Sequence, residues 1–73
     1  MKRFVVAYMS LFDNNLKMEI VEGNDPIKIL QDHLFREWDI KDEDKIDIEM
    51  PNTLEDLQNY CFNGEYVINI IEV

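Results

Sequence analysis

Two kinds of hydrophobic spacing alternate along the chain and divide it into six elements. Residues 2–11 carry Phe4, Val5, Val6 and Tyr8, apolar on both faces, and predict a strand. Asp13-Asn14-Asn15 supply side chains that tolerate left-handed backbone, so a hairpin turn is expected there. Over 16–21 the pattern alternates, with Leu16, Met18 and Ile20 on one side and Lys17 and Glu19 on the other, and Gly23-Asn24 ends this second strand. Asp25-Pro26 reads as a helix start, Asp25 as N-cap and Pro26 at the first helical position. Ile27, Leu30, Leu34 and Trp38 follow at helical spacing, supported by Phe35, and the helix should end near Trp38. A charged stretch, 39–44, leads into 45–50, where Ile46, Ile48 and Met50 alternate with Lys45, Asp47 and Glu49 and predict a third strand. Pro51-Asn52 breaks it. Thr53-Leu54-Glu55-Asp56 has the character of a capped helix start, Asn63-Gly64 stops that short helix, and 66–73 forms the last strand. Without an internal repeat or linker, residues 1–73 read as a single small domain.

The expected order is ββαβαβ. The first and last strands are apolar on both faces and belong inside a sheet, whereas the alternating second and third suit its edges. This gives an α+β fold: a four-stranded mixed sheet, order 2-1-4-3, with one long helix packed on it and strands 1 and 4 as parallel neighbours. In its N-terminal hairpin, the Asp25-Pro26 helix start, Thr53-Leu54-Glu55-Asp56 and the final strand, the chain resembles the ubiquitin-like β-grasp fold. The ending Ile71-Glu72-Val73 departs from the di-glycine tail, so the resemblance does not imply conjugation or sulfur carriage. Helices on one face only would leave Val5, Ala7 and Met9 as an apolar patch for a partner or a homodimer.

Charge changes this picture most. The chain carries 16 acidic and 7 basic residues, a net −9, with a pI near 4.3. Residues 1–36 hold five acids and five bases, so they balance; 37–73 hold eleven acids and only Lys41 and Lys45, which accounts for the whole −9. Direct binding of nucleic acid phosphates or of an anionic membrane would be opposed by that field. No run approaches the ~20 apolar residues of a membrane helix, and the basic Met1-Lys2-Arg3 is not followed by a signal-peptide pattern. With one cysteine there is no internal disulfide framework, which points to a cytoplasmic setting.

Candidate chemistry is sparse. Cys61 lies on an apolar helix face with Leu57 and Tyr60, where a buried inert thiol is expected, and His33 is expected as a partly exposed helix residue. Asp42, Asp44 and Asp47 fail the calcium-loop pattern, because Ile46 and Asp47 stand where a ligand and a glycine are required. The carboxylates lie in hydrophilic runs, away from the apolar setting that general acid catalysis needs. The reading is therefore of no enzyme, no cofactor and no metal site.

The acidic band is the remaining signal. Glu37, Asp39, Asp42, Glu43, Asp44, Asp47, Glu49, Glu55 and Asp56 form a candidate partner-binding face. On an extended strand Asp47 and Glu49 would stand about 6.6 Å apart on one face, comparable to successive phosphates of one nucleic acid strand. In length, composition and charge the chain resembles the small acidic host-takeover proteins of lytic phages that act as DNA mimics, and is similar in kind to the HU-blocking type found in a Bacillus phage. The resemblance is one of general character and transfers no residue role. It implies a basic DNA-binding protein of a bacterial host as partner, a nucleoid protein such as HU first, and exclusion of DNA from it. The alternative is a ubiquitin-like adaptor that docks through its apolar sheet face.

Overall fold

The hairpin forms as the turn residues lead one to expect. In a computed structural model describing residues 1–73, β1 (Lys2–Ser10) pairs antiparallel with β2 (Lys17–Gly23), in a register that sets Val6 opposite Glu19. Asn14 takes the left-handed conformation at φ 57°, and the Asp13 carboxylate accepts the Asn15 amide at 2.7 Å. Helix α1 (Pro26–Glu37) starts at Asp25, whose carboxylate accepts the amides of Ile27 (3.0 Å) and Lys28 (3.4 Å). It closes at Trp38 with Asp39 left-handed at φ 51°. The Asp39 amide reaches the Arg36 carbonyl and the Ile40 amide reaches that of Phe35, which is the Schellman arrangement. Helix α2 (Leu54–Asn63) starts at Thr53, whose hydroxyl accepts the Asp56 amide at 3.2 Å. The chain ends in β3 (Tyr66–Glu72).

The sheet corrects the sequence-based architecture. It has three strands in the order β2-β1-β3, and β1 is antiparallel to both neighbours. The expected four-stranded mixed sheet of order 2-1-4-3, with parallel terminal strands, is not formed, and the β-grasp assignment falls with it. Residues 45–50 are the reason. A turn over 42–44 runs into a 3-10 turn, Lys45–Asp47, and only then does the chain extend from Ile48. Ile46 points into solvent, Ile48 is half-buried and Met50 packs against the core, so the alternation in sequence is not an alternation of faces.

Both helices cover one face of the sheet. Phe4 and Val6 of β1, Tyr66, Ile68 and Ile70 of β3, Leu30 and Leu34 of α1, and Leu57 and Cys61 of α2 make the core. Gly23 passes close under α1, where a β-carbon would stand 3.0 Å from Ile29 Cδ1. The same register dictates the other face. Residues directly opposite in an antiparallel pair share a side, so Val5 and Ala7 align with Ile20 and Met18 on β2 and with Ile71 and Asn69 on β3. Met18, Ile20 and Ile71 are 67%, 68% and 62% exposed there. It is Glu19 and Val21, the residues between, that turn toward the helices.

Candidate functional site

The acidic stretch begins where α1 ends and finishes in the first turn of α2. Glu37 is the last residue of α1, Asp39 holds the left-handed position after Trp38, and Asp42, Glu43 and Asp44 lie in the turn that follows. Asp47 ends the 3-10 turn, Glu49 lies on the extended run before Pro51, and Glu55 and Asp56 occupy the first turn of α2. All nine side chains belong to exposed residues. The expected regular spacing of Asp47 and Glu49 on one strand face is not realised, since Asp47 sits in the 3-10 turn.

The loop is anchored to the fold at several points. Gln31 Nε2 donates to the Pro51 carbonyl at 2.8 Å, the Lys45 ammonium sits 5.1 Å from the centroid of the Phe35 ring, and Met50 and Leu54 pack on the core. Of the nine carboxylates only Asp42 forms an ion pair, with Lys45 at 2.9 Å. Hydrogen bonding to Lys45, then its charge, holds the Asp42 carboxyl below the ordinary range. The other eight have no basic partner. Four of the other bases are taken up elsewhere, Lys2 with Glu72, Arg3 with Glu22, Lys28 with Asp32, and Arg36 with Glu19, while Lys17 and Lys41 form no ion pair. Helix dipoles treat the carboxylates unequally, because Glu55 and Asp56 meet the positive end of α2 whereas Glu37 stands at the negative end of α1. No three His, Cys, Asp or Glu side chains converge to hold a metal ion.

A second polar cluster lies under α1, and sequence reasoning missed it. His33 is 3% exposed, not the partly exposed residue its helix position suggested. Its Nδ1 is 3.2 Å from Glu19 Oε1 and its Nε2 is 2.9 Å from Tyr66 Oη, with Arg36 Nη2 donating to the same Glu19 oxygen at 3.2 Å. A carboxylate only accepts, so Nδ1 carries a proton toward Glu19, while Nε2 and the Tyr66 hydroxyl complete the second hydrogen bond of the ring. Burial, reinforced by nearby Glu37, Tyr8, Cys61 and Glu19, pushes the Tyr66 phenol upward and keeps that hydroxyl protonated. Tyr8 lies 4.4 Å from the imidazole between ring centroids. The cluster ties β2, α1 and β3 together and explains why a glutamate is tolerated on the inner side of β2. The signal in sequence was Glu19 itself, in phase with Val21 and opposite the core residue Val6. Cys61 is fully buried, and desolvation raises its thiol to about 11.

Fold and site together define a small α+β protein with one helical face, one open apolar sheet face and an anchored acidic loop in which only Asp42 has a basic partner. No helix is long and apolar enough to cross a membrane. Comparison with family models, with curated proteins and with solved structures found no match to this chain.

Proposed function

We propose that the protein is an acidic decoy that binds the DNA-contacting surface of a basic bacterial protein and excludes DNA from it. The observation that supports this reading is the set of eight exposed carboxylates between Glu37 and Asp56 that no base neutralises. Proteins that hold DNA gather Lys and Arg side chains to meet phosphates, and the same side chains would meet these carboxylates. Anchoring of the loop at Gln31, Phe35 and Met50 lowers the entropy cost of presenting the charges. A nucleoid protein of the HU type is the first partner to test, as the resemblance to phage DNA mimics implies. Mimicry here rests on charge density, not on a strand-like phosphate spacing.

A variant carrying Asp42→Asn, Glu43→Gln, Asp44→Asn, Asp47→Asn and Glu49→Gln removes five charges at nearly constant shape. It should keep its circular dichroism spectrum and lose the ability to displace duplex DNA from such a protein. Equal displacement by the folded variant would assign the activity elsewhere.

The exposed Met18, Ile20 and Ile71 favour a second reading, docking of an apolar protein surface on the open sheet face. Salt separates the two. Apolar docking persists as ionic strength rises, whereas pairing of exposed charges fades once the screening length falls from about 10 Å at 0.1 M to about 3 Å at 1 M.

A further inference from the structure

The two outer edges of the sheet are finished differently. The Val73 amide donates to the Arg3 carbonyl and the Leu11 amide to that of Glu65, both at 2.9 Å. Odd-numbered residues of β1 therefore turn their backbone groups toward β3, and even-numbered ones toward β2. It follows that Met18, Ile20 and Glu22 point their N–H and C=O groups out from the free edge of β2. Tyr66, Ile68, Ile70 and Glu72 do the same on β3. On β3 the row is interrupted: Gln58 Nε2 donates to the Ile68 carbonyl (3.4 Å) and to Asn69 Oδ1 (3.2 Å), and Asn69 Oδ1 accepts the Ile70 amide (2.8 Å). On β2 no side chain or backbone group of the chain meets Met18, Ile20 or Glu22. An edge of this kind, with apolar side chains and no proline, is a template for another strand.

We propose that the β2 edge is covered by a second copy of this chain, β2 against β2 antiparallel about a two-fold axis at Ile20, giving a continuous six-stranded sheet. The strand is self-complementary in that register. Ile20 meets Ile20 of the second copy, and Met18 and Glu22 each meet the other's counterpart, so every outward N–H and C=O of the three residues finds a partner. On the inner side Glu19 falls opposite Val21, and Lys17 opposite Gly23. Sliding the copies by two residues loses one of the three hydrogen-bonded pairs, and in one direction sets Glu19 against Glu19, which like charges disfavour. The seam adds little unpaired negative charge, because Glu22 is paired with Arg3 and Glu19 with Arg36. This inference is independent of the decoy reading.

Sedimentation equilibrium from about 10 μM to 1 mM, with amide exchange followed by NMR, tests it. The expected result is a species of twice 8.8 kDa in which the Met18, Ile20 and Glu22 amides exchange more slowly as concentration rises. Ile20→Pro removes an outward N–H that the β1 ladder does not use, and Ile20→Lys places two ammonium groups on the axis. Both should keep the monomer's circular dichroism and raise the dimer dissociation constant at least about tenfold. Val67→Lys, on the same sheet face but in β3, should leave association unchanged. A chain that stays monomeric to 1 mM overturns the proposal. So does a dimer whose Met18, Ile20 and Glu22 amides exchange as in the dilute protein, or one that Val67→Lys weakens as much as Ile20→Lys.

Discussion

At the scale of single residues, burial and backbone conformation set the consequences. The Cys61 thiol titrates near 11 in the fold against 9.0 for the free group, so the folded state favours the neutral form. Its contribution is fully present below pH 9 and is lost as pH rises through 11, on the order of 2–3 kcal/mol over the whole window. Urea unfolding at pH 8 and at pH 10.5 checks this: the wild type should lose more stability between the two than Cys61→Ala does. Glu65 carries the left-handed conformation after α2, φ 61°, while Gly64 beside it sits at φ −90°. The residue best suited to that backbone stands one position early. Glu65→Gly should therefore stabilise the protein by about 1 kcal/mol in the same assay, despite glycine's greater freedom when unfolded.

At the scale of elements, the helices were legible and the sheet only in part. Asp25-Pro26 and Thr53 act through local hydrogen bonds, which sequence spacing reads directly. Thr53→Ala should cost about 1 kcal/mol, measured by thermal or urea unfolding, because the Asp56 amide then loses its acceptor. The segment 45–50 was misread because alternation shows only that a strand could have two faces, not that a neighbour exists to pair with it. Here β1 already has two partners, and Gln58 and Asn69 occupy the outer edge of β3. The inward face of β2 was likewise hidden. Met18 and Ile20 outnumber Val21 as apolar residues, but the hairpin register aligns Glu19 with Val6, and His33 with Arg36 makes that burial tolerable. The acidic residues themselves were evident from composition alone. What the sequence hid was their placement on an anchored loop and not along a regular strand.

At the scale of the whole molecule, the charge asymmetry separates two surfaces with different physics. The open sheet face presents the exposed apolar side chains of Met18, Ile20 and Ile71; the loop from Glu37 to Asp56 is exposed and carries eight carboxylates without a basic partner. Long-range attraction from such a loop would speed encounter with a basic partner, while each exposed carboxylate contributes little on its own. Single neutralisations should thus change affinity little, and the effect should emerge only in combination. The most direct measurement is fluorescence anisotropy of a labelled DNA duplex bound to an HU-type nucleoid protein, titrated with this chain at low and at high salt. The decoy account expects anisotropy to fall to that of free DNA at low salt, with displacement weakening steeply as salt rises. Anisotropy that stays at the bound value, or climbs as a ternary complex forms, would contradict it.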